Sequence, residues 1–253
     1  MANYFKSIGI QVGDCIAGLL PRTPELLITI LATWRIGAIY QPLFTAFESK
    51  AIEHRVLTAN TKLIVTNAEQ RPKLNHVEVK HILTVNAGTN LTSNEADFWQ
   101  EVKQQSDQYE AVLRSFDDDF LMMFTSGTTG LAKSVPVPLK AVLAFKGYMQ
   151  HAVDLREDDS FWNLADPGWA YGLYYGITGP LSLGHSIIMD ERAFSVDHAV
   201  EVIKKYRVSN LTGSPTAFRM FFGFKEKFDP SIKTHLRAVS SACLLYTSDA
   251  ADE

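Results

Sequence analysis

The sequence is poor in the features that mark membrane, nucleic-acid-binding and disulfide-rich proteins. It holds two cysteines in 253 residues, Cys15 and Cys243, too few for a disulfide framework or a cysteine metal site. Apolar runs such as residues 26–33 and 120–124 fall well short of the roughly 18 residues that a membrane span needs. No Lys/Arg cluster interleaves with aromatic residues, and the net charge is -4. We therefore expect no membrane span and no nucleic-acid partner.

What remains is the composition of a soluble globular protein, for which the cytoplasm is the expected location. Hydrophobic residues make up 46% and charged residues 21% of the chain, and the mean hydropathy is -0.03. The seven histidines are scattered, with no His-x-x-x-His spacing. The sequence therefore predicts no metal site.

Short β-rich runs alternate with helical patterns along the chain. The predicted strands are residues 15–20, 38–43, 63–66, 81–85, 120–125, 186–190 and 209–213. Residues 238–242 look like the opening of a further, buried strand. This alternation predicts an α/β fold with parallel crossover units.

Helix boundary signals support that interpretation. Thr23 can cap the free N–H groups of a helix, Pro24 fits its first position and Gly37 ends it. Residues 195–207 form a second helical pattern, with Ser195 at the cap and an apolar face that extends to Tyr206. Residues 69–119 are rich in Asn, Gln and Ser, and we expect surface insertions there.

The most informative segment follows the apolar run at residues 120–124. It reads Thr125-Ser126-Gly127-Thr128-Thr129-Gly130-Leu131-Ala132-Lys133. Glycines that turn backbone N–H groups inward, hydroxyl donors and a lysine can together cradle a polyphosphate. We expect this segment to be a loop between a strand and a helix at residues 139–153.

The loop is not a Walker A motif, because two residues separate Gly130 from Lys133 whereas that motif has Gly-Lys adjacent. A purely structural turn is the alternative interpretation. For Lys133 itself, the alternative to phosphate contact is a solvated loop lysine.

This nine-residue segment resembles the phosphate-binding signature of the adenylate-forming (AMP-binding) superfamily. That superfamily holds acyl-CoA synthetases, luciferases and peptide-synthetase adenylation domains, and the likeness is greatest to acyl-CoA synthetases of the acetyl- to medium-chain type. Other matching segments are residues 20–25, 34–42, 163–169, 179–184 and 212–216. One departure is Ala132-Lys133-Ser134, where the family usually has Pro-Lys-Gly.

The resemblance implies an α/β fold that is the large N-terminal domain of the adenylate-forming enzymes, truncated at both ends. Residues 1–242 would be a partial AMP-binding domain, and the C-terminal domain with the main catalytic lysine would be absent. The catalytic residues of this chain are therefore unknown. Residues 243–253 resemble a translated sequencing adapter, and we expect them not to pack into the fold.

The implied function is ATP-dependent activation of a small carboxylic acid to an acyl-adenylate and then to acyl-CoA, with release of pyrophosphate and AMP. ATP, Mg²⁺ and coenzyme A would take part. Ser126, Thr128 and Thr129 would hold the β- and γ-phosphates, with Thr125 beside them. Gly127 and Gly130 would let the backbone approach, and Lys133 would offset the charge of the leaving pyrophosphate.

The resemblance also places an acyl and CoA pocket downstream. Its predicted residues are Trp169, Gly168, Ala170, Tyr171, Gly213 and Pro215. Trp169 is the main candidate for the pocket wall, and its alternative is a plain core aromatic. The alternative function for the whole chain is a non-catalytic nucleotide-binding module.

Overall fold

The computed structural model describes residues 1–89, 91–125, 131–224 and 235–242. The chain divides into two compact units, Met1–Ala141 and Val142–Glu253. Both units combine strands and helices, which confirms the predicted α/β class. No described helix is long and apolar enough to cross a bilayer.

The first unit contains a seven-stranded sheet. Its strands are β1 (Cys15–Leu19), β2 (Ile39–Pro42), β3 (Thr61–Asn67), β4 (His81–Val85), β5 (Glu95–Asp97), β6 (Asp119–Phe124) and β7 (Ser134–Pro138). Its helices are α1 (Ala2–Ser7), α2 (Pro24–Arg35), α3 (Ser49–Thr58) and α4 (Phe98–Lys103), with a 3₁₀ turn at Arg71–Leu74. The strand order is β5-β4-β3-β1-β2-β6-β7, and only β7 runs antiparallel to its neighbour.

The chain leaves β1 for β2 on one side and then crosses back to β3 on the other. Ligands of open α/β sheets bind beyond the carboxyl ends of the strands near such a reversal. The carboxyl end of β6 lies at this same edge because β6 is parallel to β2. The fold therefore brings residue 125 to the edge of the sheet where ligands are expected.

The predicted boundaries of α2 are confirmed, but one predicted contact is wrong. Pro24 is the first helical residue, whereas the Thr23 side chain makes no capping hydrogen bond. Gly37 ends the helix with a φ of 73°, and the Ala38 N–H donates to the Thr33 carbonyl at 3.0 Å. A side chain at Gly37 would be strained at this φ, and its Cβ would also meet Val112 at 3.0 Å.

The expectation of surface insertions at residues 69–119 was only partly right. Strands β4 and β5, helix α4 and the first residue of β6 lie there, and β4 was predicted. Strand β5 was missed because it is three residues long and bears Glu95 and Asp97 at the sheet edge. Backbone pairing with β4 forms it, so it has no apolar alternation for a sequence to show.

The second unit has a three-stranded parallel sheet in the order β10-β9-β8. These strands are β8 (Phe161–Asn163), β9 (Asn210–Gly213) and β10 (Ala238–Ser241). The α-helices, the first of which begins at the unit boundary, are α5 (Ala141–His151), α6 (Ala170–Leu173), α7 (Gly179–Ser182), α8 (Val196–Lys205) and α9 (Pro215–Gly223). A π-helical turn at Tyr174–Thr178 joins α6 to α7.

Three expectations for this unit are corrected. The predicted strand at 186–190 is wrong, because only Ile188 forms an isolated bridge, to Trp162 of the short strand β8. Strand β10 exists, but it is not buried.

In α8, Ser195 caps the helix by accepting a hydrogen bond from the His198 N–H at 3.2 Å, as predicted. Tyr206 lies after the helix end and is 48% exposed. Residues 243–253 lie outside the described residues.

Candidate functional site

The neck of the predicted phosphate loop is well defined. Strand β6 buries Phe120, Leu121 and Met123 and ends at Phe124. The Thr125 N–H then donates to the Lys133 carbonyl at 3.0 Å, which closes the neck of the loop. Ser126, Gly127, Thr128, Thr129 and Gly130 lie outside the described residues.

The loop joins two antiparallel strands, so the prediction of a strand-to-helix loop is wrong. Strand β7 follows it, with Phe124 opposite Ser134, and α5 begins only afterwards. Strand β7 contains Pro136 and Pro138, which lack the N–H that a central strand would use. It tolerates them because it is the last strand of the sheet.

Lys133 sits at the exit of the loop. Its side chain is exposed and forms no ion pair with any part of the chain that the structure describes. Its charge is therefore not neutralised by a described carboxylate. Asp117 pairs instead with Lys140 at 2.7 Å, and Asp118 with Arg114 at 3.0 Å. Two carboxylates of the acidic run before β6 thus form ion pairs at the surface.

Helix α3 contacts both limbs of the loop. Sequence reasoning missed these contacts. The Nε2 atom of His54 lies 2.8 Å from the Ala132 carbonyl. The Arg55 guanidinium lies 4.2 Å from the ring centre of Phe47 and 5.7 Å from that of Phe124. Burial lowers the pKa of Arg55. No sequence signal exposes these contacts, because His54 and Ala132 are 78 positions apart.

The second predicted site begins after β8. The Asp166 carboxylate accepts the Gly168 N–H at 2.7 Å, and the Asp166 carbonyl accepts the Trp169 N–H at 3.0 Å. This turn leads into α6, with Trp169 at the cap position and Ala170 as the first helical residue. Trp169 is 44% exposed, so it is not a core aromatic in this structure.

Gly213 and Pro215 come to the same sheet edge from the neighbouring strand. Gly213 ends β9 and Pro215 begins α9, with the Ser214 hydroxyl accepting the Ala217 N–H at 3.3 Å. A Cβ on Gly213 would meet Leu164 at 3.1 Å. The structure therefore brings residues 168–171 and 213–215 to the carboxyl ends of β8 and β9, where α/β sheets bind ligands.

An open groove of about 500 Å³ adjoins α9 and β10. Its lining includes Pro215 but none of the other five predicted pocket residues. It is lined by Pro215, Phe218, Arg219, Phe222, Val239 and Ser241.

An aromatic cluster surrounds Tyr171. Tyr148 stacks on Tyr175 with centroids 4.0 Å apart, and Tyr171 meets Tyr175 edge-on at 5.5 Å. Burial, and then the nearby Tyr148, raise the pKa of Tyr171, so its hydroxyl is neutral at pH 7. That oxygen is buried and has no hydrogen-bond partner of good geometry among the described residues, although Tyr148 and Ser240 are close enough to affect its pKa. Sequence reasoning missed Tyr148 and Tyr175. For Tyr175 the available signal was the density of tyrosines at residues 171–175.

Comparisons with known proteins agree with this geometry. The family model for the AMP-binding enzyme matches residues 1–248. The acetyl-coenzyme A synthetase of Bacillus subtilis is 31% identical over 94% of this chain and 43% of its own length. That of Deinococcus radiodurans is 32% identical over 87% of this chain and 37% of its own. The chain thus spans less than half the length of these curated relatives.

Solved structures show the same likeness. An acyl-CoA synthetase from Brucella canis is 48% identical, with a TM-score of 0.90, and the match covers 98% of this chain and 46% of that one. An anthranilate CoA ligase, 20% identical, shares the fold with a TM-score of 0.84 over 95% of this chain and 47% of that one. These matches, together with the hairpin loop at the carboxyl edge of a parallel sheet, show that the chain belongs to the AMP-binding enzyme family.

Proposed function

We propose that this chain is the nucleotide-binding part of an ATP-dependent, AMP-forming acid–thiol ligase. The observation that carries the proposal is the signature loop, closed at its neck by the Thr125–Lys133 hydrogen bond and set beyond the carboxyl end of β6. Relatives named acetyl-coenzyme A synthetase and acyl-CoA synthetase support a small carboxylic acid and coenzyme A as the other substrates.

In the proposed reaction, a carboxylate oxygen of the acid attacks the α-phosphorus of ATP. The bond to the bridging oxygen breaks, pyrophosphate leaves, and an acyl-adenylate forms. The thiol of coenzyme A then attacks the acyl carbon and AMP departs. Such chemistry depends on positioning and on stabilising negative charge, so no protein nucleophile is needed.

The loop supplies the positioning. Backbone N–H groups at Gly127 and Gly130 and the hydroxyls of Ser126, Thr128 and Thr129 would donate to the β- and γ-phosphates. Lys133, exposed and without a described carboxylate partner, is suited to offset the charge of pyrophosphate. Mg²⁺ would enter as part of the MgATP substrate, bound mainly by the phosphates of the nucleotide.

The acyl group and the thiol of coenzyme A would bind near residues 168–171 and 213–215. The exposed ring of Trp169 is available as an apolar wall. The Tyr171 hydroxyl is buried near Tyr148 and Ser240 but makes no hydrogen bond of good geometry with a described residue, and an unsatisfied buried polar group calls for an explanation such as a bound ligand. We therefore assign Tyr171 a contact with the bound substrates.

The domain organisation follows from the same proposal. Residues 1–242 would belong to an N-terminal AMP-binding domain, which the family match over residues 1–248 supports. Because the chain spans less than half the length of its curated relatives, the complete reaction is proposed for a longer, cytoplasmic protein that contains this domain.

The test uses the parent, meaning a protein that continues this sequence with the remaining motifs of the family. Replacing Thr128 and Thr129 together with Ala removes two hydroxyl donors to the phosphates. Carboxylate-dependent ATP–pyrophosphate exchange should fall by about 100-fold, as when a preorganised donor is lost elsewhere. Asp117→Asn, which alters only an exposed ion pair with Lys140, is the control and should exchange normally.

If the double threonine variant exchanged pyrophosphate as fast as the unsubstituted parent, the assignment of the phosphates to this loop would be refuted. A parent that binds MgATP but exchanges no pyrophosphate with any small acid would indicate a non-catalytic nucleotide-binding module instead.

A further inference from the structure

Helix α3 holds the exit of the phosphate loop through His54. The Nε2 atom of His54 lies 2.8 Å from the carbonyl oxygen of Ala132, at hydrogen-bond distance. A carbonyl only accepts, so Nε2 carries the hydrogen and donates it. Ala132 directly precedes Lys133, whose own carbonyl accepts the N–H of Thr125. The His54 bond thus meets the loop one residue from the hydrogen bond that closes its neck.

The neighbouring residue of α3 holds the entrance. Arg55 places its guanidinium between 4 and 6 Å from the ring centres of Phe47 and Phe124, within the usual range of a cation–π contact. Phe124 is the last residue of β6 and directly precedes Thr125. Two consecutive residues of one helix therefore contact the two limbs of one loop.

Helix α3 can hold the loop only because it is itself fixed to the sheet. Gln41 of β2 is fully buried, and its side-chain nitrogen donates to the Arg55 carbonyl at 3.0 Å. The other end of that amide accepts the Thr61 hydroxyl at 2.6 Å, which fixes its orientation. Ile52 and Val56, also on α3, are buried in the core of the first unit. The sheet thus fixes the position of helix α3, and α3 in turn contacts the two limbs of the loop.

We propose that His54 is a positioning residue for nucleotide binding, acting through the Ala132 carbonyl to set the place of Lys133. The claim that His54 affects nucleotide binding rests on the function proposed above for the loop. A loop that is held in place before the phosphates arrive loses less conformational freedom when it binds them. Loss of the His54 bond should therefore weaken MgATP binding and leave the affinity for the carboxylic acid unchanged.

The test compares three variants. His54→Leu removes the donor, whereas His54→Gln keeps an N–H that can reach the same carbonyl. His76→Leu is the matched control, because His76 is exposed and makes no hydrogen bond or ion pair with the described residues. Two readouts are needed: hydrogen exchange of the Thr125 amide in the 253-residue chain, and the KM for MgATP and for the acid in the parent.

For His54→Leu we expect the hydrogen-exchange rate of the Thr125 amide and the KM for MgATP each to rise about two- to tenfold. This is the usual effect of losing one hydrogen bond. The KM for the acid should stay constant, and His54→Gln should recover most of both effects. The His76 variant should match the wild type in both readouts.

The outcomes separate this inference from the proposed function. Unchanged amide exchange in His54→Leu would overturn the positioning role even in an active parent. Faster exchange with an unchanged KM for MgATP would also overturn it, because the contact would then be structural only. A wild-type parent that does not bind MgATP would instead refute the proposed function, whatever the exchange data show.

Discussion

Replacing Asp159 with Asn should make the second unit less stable at neutral pH but not in acid. The Asp159 carboxylate is 2% exposed and contacts the residues that directly precede β9 and β10. It accepts hydrogen bonds from the Ser209 hydroxyl at 2.6 Å, the Arg156 N–H at 2.9 Å and the Arg237 guanidinium. The interaction therefore joins residue 159 to residues 209 and 237.

The magnitude follows from the pKa of Asp159. Burial alone would raise it, but hydrogen bonds from Arg237, Ser209 and the Arg156 backbone outweigh burial and lower the pKa from 3.8 to about 2. At about 1.4 kcal/mol per pH unit, the ionised form stabilises the fold by roughly 2 kcal/mol. Arg237 is 27% exposed, so solvent screening reduces this figure, and we expect about 1 to 2 kcal/mol.

The direction of the pKa shift determines the pH range over which ionised Asp159 stabilises the fold. Because the pKa is lower in the folded chain, the stabilisation is complete above the unfolded value of 3.8 and is lost as pH falls through about 2. Urea unfolding of the wild type and of Asp159→Asn should differ at pH 5 to 7, and the difference should shrink progressively below pH 4. Asp158→Asn is the control, because Asp158 is exposed and has no partner among the described residues.

A difference in unfolding free energy that stayed constant from pH 7 to pH 3 would refute this reasoning. It would mean that the amide fails for steric reasons and that the charge of Asp159 contributes nothing.

Two further predictions concern the second unit. Ser195→Ala removes the oxygen that caps α8, and urea unfolding should show a loss of about 1 kcal/mol; an unchanged midpoint would contradict a capping role. Tyr171→Phe removes a buried hydroxyl that lies near Tyr148 and Ser240 but makes no hydrogen bond of good geometry with a described residue. The melting temperature should therefore stay constant or rise, while the KM for the acid or coenzyme A should increase in the parent. A clear fall in melting temperature would show that the hydroxyl makes a stabilising hydrogen bond.

The sequence by itself determined the α/β class and the place of the phosphate signature. Alternating strand and helix patterns arise from local side-chain periodicity, which a sequence displays directly, and β1, β2, β3, β4, β6 and β9 were found this way. Pro24 and Gly37 marked the ends of α2 because their backbone constraints are local too. The loop motif was legible because its nine residues are contiguous.

Only the tertiary structure decided what surrounds that loop. Strand β7 was missed because two prolines in five residues argue against a strand unless it lies at a sheet edge, and edge position is a property of the assembled sheet. The His54–Ala132 contact joins residues 78 positions apart, and the Asp159–Arg237 contact joins residues equally distant. Such pairs leave no periodic trace in a sequence, because the distance between them is set by chain topology and packing rather than by local conformation.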